Sequence, residues 1–283
     1  MTANAPGIVA DSSASALTGQ LDEVWASLAT LGAGLGDADW DAPTACPGWP
    51  VSAQYAHVIG TESMLLGRPN PQVVTGRPDH VRNDIGGFNE AWIVSLASEP
   101  RESVLATFAE VTATRREALA AMSEADFAAE SWTPVGQADY RRFMHIRVFD
   151  CWVHEQDVRD AVGLAGHDSG QVAEQSVDEV VRALGYIVGK KAAAEPGTSV
   201  RITLTGPVQR DIGVSVIDGR ARVVAGLDGT PTATLVLSSN AFTRLACGRV
   251  PAASVLDGAF GGVGLAGDTD FGERIVTSLP FTI

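Results

Sequence analysis

Residues 147–159 have the sequence RVFDCWVHEQDVR, and they lie in the middle of a segment with helical periodicity. We predict a helix from about Asp139 to Val162 that ends at Gly163, because glycine commonly terminates helices. The apolar positions expected to face neighbouring helices are Phe143, Ile146, Val153 and Val158. This segment therefore favours a helix that packs inside a helical bundle.

Asp150 and His154 are four residues apart in this helix, so their side chains share one face. His57 lies on another predicted helix, Ala53–Leu66, for which Ser52 offers an N-cap. Facing helices of a bundle bring such side chains together in the core. Two imidazoles and one carboxylate suit zinc or a similar divalent metal, and three protein ligands leave one coordination position open for chemistry. The alternative is a surface Asp–His pair beside an ordinary half-buried histidine.

The first half of the chain contains further segments with helical periodicity. They are predicted at Ala16–Leu35, Asp84–Leu96 and Arg101–Met122. Two prolines and a glycine interrupt residues 44–50, which are therefore predicted to form a loop. The periodicity changes at residues 165–171. We therefore predict a flexible tail at residues 1–15, a metal-binding helical bundle at 16–165 and a second domain at 166–283.

The second domain has a different pattern. One helix is predicted at Val172–Lys191, and alternating apolar residues predict strands at Val200–Leu204, Ile212–Val216, Ala221–Val224 and Thr234–Leu237. Asp218-Gly219 is a hairpin turn signal. Ser238 and Asp268 are predicted to cap two short helices that run to Ala246 and Leu279. The expected fold is an α+β domain with a small antiparallel sheet.

Composition disfavours several classes of partner. The 283 residues carry a formal net charge of −14, which disfavours binding to nucleic acid or to an anionic membrane. Residues 1–19 lack the features of a secretion signal, and no apolar run is long enough for a membrane span. Three scattered cysteines fit a reducing compartment. We expect a soluble, cytoplasmic protein, as a monomer or small homo-oligomer, whose partners are small molecules.

Three motifs, taken in order, resemble the mycothiol-dependent maleylpyruvate isomerase family. They are Cys46-Pro47-Gly48-Trp49 followed by Ala56-His57, the stretch 147–159, and Phe242-Thr243-Arg244-Leu245-Ala246-Cys247-Gly248-Arg249. The resemblance covers nearly the whole chain. It implies a DinB-like four-helix bundle followed by a domain like sterol carrier protein type 2.

The resemblance also implies a site and its cofactors. A divalent metal, usually zinc, would be held by His57, Asp150 and His154, with mycothiol as the thiol cosubstrate. Some family members have glutamate where this chain has Asp150, whose side chain is one methylene shorter. The segment His80–Asp84 resembles the one before the family's third helix, which makes Arg82 the candidate catalytic residue that clamps a substrate carboxylate. The alternative for Arg82 is a solvated loop arginine, and Arg222 is a weaker candidate clamp.

Other polar and aromatic residues carry less weight. Glu155 and Asp157 could orient a ligand, but we interpret them as carboxylates on the helix surface. Cys151 is rotated about 100° from Asp150 on the helix and is predicted to be a buried residue with a role in packing only. Trp49 and Trp152 are predicted to lie in the core. No role is assigned to His80, His145 or His167.

The leading hypothesis is an isomerase or S-transferase in which metal-bound thiolate attacks a small electrophilic substrate that bears a carboxylate. Two alternatives stay open. One is a non-catalytic protein whose second domain binds an apolar small molecule. The other is a metal-dependent hydrolase that uses water in place of the thiol.

Overall fold

The computed structural model describes residues 12–73, 76 and 78–282. The chain divides into one compact unit at Ser12–His167 and another that begins at Asp168. Residues 1–11 of the predicted tail fall outside the described part, and the first helix begins at Ala14. No helix in the described ranges combines the length and apolar character needed to cross a membrane.

The first unit is built mainly from helices. Its elements are α1 (Ala14–Ala33), α2 (Asp37–Trp40), α3 (Val51–Leu65), α4 (Asp84–Leu96), α5 (Arg101–Ala120), α6 (Glu124–Phe127), β1 (Glu130–Thr133), β2 (Gly136–Asp139) and α7 (Tyr140–Val162). Helices α1, α3, α5 and α7 pack against one another in a ring, and α4 packs on α3. This confirms the expected four-helix bundle, with α4 as an additional helix.

Local capping explains where helix α7 begins and ends. The side chain of Asp139 accepts a hydrogen bond from the backbone N–H of Arg142 at 2.8 Å, which caps the first turn. Gly163 ends the helix in the left-handed conformation with φ 69°. The sequence predicts both ends of this helix to within a residue, so the placement of Asp150 and His154 on it follows from local sequence.

Helix α3 begins earlier than predicted. It starts at Val51 with Pro50 as its N-cap, so Ser52 lies inside the first turn and is not the cap. The reason is the preceding loop, in which the N–H of Val51 donates to the carbonyl of Ala42 at 3.0 Å and closes the loop directly before the helix. The hairpin formed by β1 and β2 was also not predicted.

The second unit combines helices with one sheet. Its elements are α8 (Gln171–Tyr186), a π-helical turn (Ile187–Lys191), β3 (Ser199–Thr205), β4 (Arg210–Ile217), β5 (Arg220–Val224), β6 (Ala233–Ser238), α9 (Ser239–Ala246), α10 (Ala252–Leu256), β7 (Gly264–Gly267) and α11 (Thr269–Ser278). The α+β expectation is confirmed. Gly185 and Gly189 let α8 and the π-helical turn approach β5 closely, because a Cβ at Gly185 would come within 2.8 Å of the carbonyl oxygen of Ala221.

The sheet is mixed, which corrects the prediction of a wholly antiparallel one. Its strand order is β5-β4-β3-β6-β7, and β3 pairs with β6 in parallel. Strands β3, β4 and β5 form a meander, after which residues 225–232 return the chain to the far side of β3. Strand β6 therefore runs in the same direction as β3. Single-strand periodicity does not show this pairing.

Candidate metal centre

The structure brings the three predicted metal ligands together inside the bundle. Helix α3 supplies His57, and α7 supplies Asp150 and His154 from successive turns. One potential ligand atom from each residue lies within 4.8 Å of the others. The Nε2 atom of His57 is 2.9 Å from Oδ2 of Asp150, and Nε2 of His154 is 3.5 Å from Oδ1. These distances allow all three side chains to face one cation.

The pKa shifts of His57 and Asp150 suit a cation, whereas the shift of His154 opposes one. Burial lowers the pKa of His57 and so favours the neutral imidazole that a metal ligand requires. Burial alone would raise the pKa of Asp150, but His57 and the Arg147 guanidinium outweigh it and hold that pKa well below its usual value. Burial likewise opposes charge on His154, but hydrogen bonds to Asp150 and Asp157 raise its pKa. An ionised carboxylate flanked by two imidazoles is a donor set that fits zinc.

The orientation of His154 is set by hydrogen bonds to its Nδ1 atom. Nδ1 lies 2.6 Å from Oε1 of Gln54 and 3.3 Å from Oδ2 of Asp157. Both neighbours are acceptors, so Nδ1–H donates and Nε2 is the atom that points toward Asp150. A histidine that ligates a metal through one nitrogen usually donates its other N–H in this way. The surroundings of His154 therefore match those of a metal ligand.

Gln54 is in turn held by the loop that precedes α3. Its amide nitrogen donates to the hydroxyl of Thr44 at 3.0 Å and to the carbonyl of Pro50 at 3.4 Å. The Thr44 hydroxyl donates to the carbonyl of Trp49 at 2.7 Å, which leaves its oxygen free to accept. Since the amide nitrogen faces these acceptors, the amide oxygen must face His154.

Trp49 covers the two imidazoles. Its ring centroid lies 5.3 Å from that of His57 and 5.7 Å from that of His154, and the two imidazole centroids are 4.5 Å apart. Trp49 is 9% exposed, which confirms its prediction as a core residue. The indole therefore limits the access of water to one side of the candidate site.

The prediction for two neighbours of the candidate ligands was wrong. Glu155 and Asp157 were interpreted as surface carboxylates, but both are buried. The interpretation was wrong because α7 is enclosed on nearly all sides, so that four consecutive polar residues, 154–157, are all buried. Asp157 contacts His154, and Glu155 accepts a hydrogen bond from Ser27 at 2.6 Å. The run of polar residues in the middle of a bundle helix was the available signal.

Arg82, the predicted carboxylate clamp, is exposed in the segment before α4. No ion pair of Arg82 is found within the described ranges. The neighbouring His80 packs against Gly48, where a Cβ would come within 2.7 Å of its ring, and Gly48 precedes Trp49. The segment that carries Arg82 therefore lies beside the loop that covers the ligands. Arg222, the weaker candidate, lies exposed on β5 of the second unit.

A four-helix bundle with two histidines and one aspartate converging in its core, followed by an α+β unit, defines a class of two-domain proteins with a candidate metal centre. Residues 21–159 match the model of the mycothiol maleylpyruvate isomerase N-terminal domain, and this range contains all three candidate ligands. This part of the chain is therefore similar to that domain family.

Solved structures support the same assignment at the level of fold. A crystal structure of a mycothiol-dependent maleylpyruvate isomerase has 16% sequence identity to this chain and a TM-score of 0.52. The match covers 85% of this chain and 91% of the isomerase chain. A structure of a histidine-to-alanine mutant of a mycothiol-dependent maleylpyruvate isomerase has 15% identity and a TM-score of 0.53, with 90% and 94% covered. No curated protein was found that matches the sequence. The chain thus has the fold of these isomerases in both units.

Proposed function

We propose that this protein is a divalent-metal-dependent, mycothiol-using isomerase or S-transferase that acts on a small, electrophilic, carboxylate-bearing substrate. The observation that carries the proposal is the convergence of His57, Asp150 and His154 within a domain of the mycothiol maleylpyruvate isomerase type. The proposed setting is the cytoplasm, a reducing compartment that suits three free cysteines.

His57, Asp150 and His154 would hold the cation, with zinc as the expected metal. When bound, a divalent cation lowers the pKa of a thiol that takes the remaining coordination position, and so supplies thiolate at neutral pH. Gln54 and Asp157 hold the His154 ring in the tautomer that this requires. Trp49 keeps bulk water from the same side of the site.

The buried charges around the site favour an anion as the additional ligand. Three carboxylates, those of Glu62, Asp150 and Asp157, lie in this part of the bundle with two guanidiniums, those of Arg115 and Arg147. A divalent cation would leave this group with one net positive charge. Because unpaired buried charge is costly, a thiolate at the open position would be favoured over a neutral thiol.

The reaction begins when the sulfur of mycothiol, having lost its proton, adds to an electrophilic carbon of the substrate. If the carbon belongs to a double bond, addition permits rotation, and elimination of the same sulfur completes an isomerisation. If the sulfur stays attached, the neighbouring carbanion takes up the proton that the thiol released, and the outcome is S-transfer. In both cases Arg82 would pair with the substrate carboxylate, for which a guanidinium offers two parallel donors.

The test measures mycothiol-dependent turnover of a panel of electrophilic substrates by the zinc-loaded protein. We expect activity in the wild type and loss of at least about a hundredfold in the double variant His57→Ala, His154→Ala, since both imidazoles are removed. Full thiol-dependent activity in the double variant would refute the proposal. Activity that persists without mycothiol would favour the hydrolase, and saturable binding of a lipid without metal would favour the apolar-ligand carrier.

The role of Arg82 is tested separately with matched substrates. Each electrophile is offered as the free carboxylate and as its methyl ester to wild type and to Arg82→Gln. We expect KM for the carboxylate to rise about tenfold in the variant while KM for the ester is unchanged, because only the carboxylate pairs with the guanidinium. Equal effects on the two substrates would refute a clamp at Arg82.

A further inference from the structure

A group of buried charges crosses the bundle beside the candidate metal centre. Glu62 of α3 is fully buried and accepts hydrogen bonds from Arg115 of α5 at 2.9 Å and from Arg147 of α7 at 2.7 and 3.0 Å. Arg115 also donates to the hydroxyl of Tyr140 at 2.9 Å. Each carboxylate oxygen of Glu62 is thus held by one guanidinium.

Arg147 connects this group to a candidate ligand. Its Nη1 atom donates to Oδ2 of Asp150, one turn further along α7. Its Nη2 atom lies 3.3 Å from Sγ of Cys151, whose pKa is raised to about 12 by burial, so that the sulfur stays a thiol. Arg147 itself is only 2% exposed. The guanidinium therefore bridges two carboxylates, those of Glu62 and Asp150.

We infer that Arg147 is a positioning residue for the ligand Asp150, and that Glu62 and Arg115 act through it. This inference rests on the proposed metal site. Arg147 holds Oδ2 of Asp150, so the carboxylate has one preferred rotation, with Oδ1 toward His154. A donor on one oxygen of a ligating carboxylate also draws charge from it, which changes how strongly the other oxygen binds a cation.

The length of Asp150 makes this orientation matter. A short side chain on α7 has few rotamers, so a wrong rotation moves its oxygens out of reach of a cation that His57 and His154 share. The guanidinium can set the rotation because it is held at fixed angles by Glu62, which Arg115 holds from α5 in turn. Two of the three helices that carry these residues, α3 and α7, also supply the candidate ligands.

A purely structural role for these charges makes a different prediction. Ionic contacts between α3, α5 and α7 would then contribute to folding without any specific effect on a ligand. The loss of Arg147 would change the free energy of unfolding, but the metal affinity and the coordination geometry of the folded protein would stay the same. The two roles are therefore separable in folded variants.

The experiment titrates metal-free full-length protein with Co²⁺, whose visible absorption reports coordination geometry, and measures Zn²⁺ affinity by competition with a chelator. The variants are Arg147→Gln, Arg147→Lys and Glu62→Gln. The control is Arg141→Gln on the same helix, which removes an arginine paired with Glu124 at 2.7 Å near the surface. Circular dichroism and thermal unfolding identify the variants that are folded.

We expect the Co²⁺ spectrum of Arg147→Gln to shift and its Zn²⁺ affinity to fall about tenfold or more, which is the usual effect of removing a partner of a metal ligand. Arg147→Lys keeps a donor and should recover part of the affinity. The Zn²⁺ affinity of Glu62→Gln should lie between those of Arg147→Gln and Arg147→Lys. The affinity of Arg141→Gln should match that of the wild type.

Folded Arg147 variants with the wild-type spectrum and affinity would overturn the inference. If Arg147→Gln does not fold, Arg147→Lys decides the question by the same two readouts, since it retains the charge. Wild-type protein that takes up neither metal would instead refute the proposed function, so the two failures are distinguishable.

Discussion

Helix α7 and strand β3 are both buried, but they bury opposite kinds of residue. The inward positions of β3 are apolar, namely Val200, Ile202 and Leu204. Helix α7 buries an arginine, two histidines, a glutamine and two carboxylates in addition to its apolar residues. Burying hydrocarbon stabilises a fold directly, whereas burying charge is costly unless every group is paired. The hydrophobic stabilisation that accounts for the interior of β3 therefore does not account for the polar interior of α7.

The prediction with the largest expected effect is that a substitution in the first unit abolishes metal binding and leaves folding intact. We expect about one zinc per chain in the wild type and none in His154→Ala, because two ligands hold a cation much more weakly than three. Metal content by mass spectrometry and circular dichroism of the same samples measure both properties. His80→Ala is the control, since His80 pairs with Glu90 at 3.0 Å and is not a candidate ligand.

Zinc retained at the wild-type level in His154→Ala would contradict the hypothesis that the buried polar residues of α7 serve a metal site. Protein that takes up no zinc in the wild type would do the same. Loss of metal with full helical content would instead show that the site is dispensable for the bundle.

The second prediction concerns the apolar interior of the sheet, where a substitution should change stability and leave metal content unchanged. Ile202→Ala removes a fully buried side chain from the central strand and should cost about 2–5 kcal/mol of unfolding free energy, with no effect on metal content. Val236→Ala, on the adjacent strand β6, is the control, because Val236 is 41% exposed and should cost about 0.5 kcal/mol or less.

A comparison of tryptophan fluorescence with circular dichroism shows which unit is destabilised. All six tryptophans lie in the first unit: Trp25, Trp40, Trp49, Trp92, Trp132 and Trp152. Chemical denaturation followed by fluorescence therefore reports the bundle, while circular dichroism reports both units. Loss of zinc in Ile202→Ala would contradict the separation of the two interiors.

A smaller effect is expected at Gln54, which supports His154 without being a ligand. Gln54→Leu keeps the size of the side chain but removes the oxygen that accepts from Nδ1 of His154, so zinc affinity should fall about tenfold. Gln54→Glu, which keeps an acceptor oxygen, should stay closer to the wild type. Chelator competition measures both, and equal affinities for Gln54→Leu and wild type would contradict the role of this hydrogen bond.

The parts of the structure that depend on local rules were predictable from the sequence. The helix stop at Gly163 and the caps at Ser238 and Asp268 are confirmed, and Asp139, predicted as the start of its helix, is the N-cap. Helix α4 has the predicted bounds, Asp84–Leu96. Helical spacing and the likeness to a known family also singled out three residues that the structure brings together.

The parts that depend on long-range pairing were not predictable. Glu62 is 53 residues from Arg115 and 85 from Arg147, and nothing in the sequence of either helix identifies the partner. The parallel pairing of β3 with β6 has the same cause, because a strand's own alternation shows its buried face and not its neighbour. Burial of Glu155 and Asp157 was missed because it requires the helices on every side of α7 to be placed first.

The smallest expected effect is a pH dependence at the end of the first unit. His167 contacts Glu155 of α7 at 2.6 Å and Glu23 of α1 at 3.3 Å, and Glu155 also pairs with Arg159. Burial opposes charge on His167, but hydrogen bonds to these two carboxylates outweigh it and raise its pKa. The stabilisation from protonated His167 is therefore complete below the ordinary histidine pKa of about 6.5 and is lost as the pH rises through the raised value.

We expect His167→Asn to destabilise the first unit by about 1 kcal/mol at pH 5.5 and by less at pH 8.5, with tryptophan fluorescence as the probe. Asparagine is the suitable replacement because residue 167 has φ 52°, which asparagine tolerates. His80→Asn is a histidine control elsewhere in the unit. A cost that is the same at both pH values would mean that His167 contributes through packing and not through its charge. Arg159 would then be the cation that balances the charge of the buried Glu155 carboxylate.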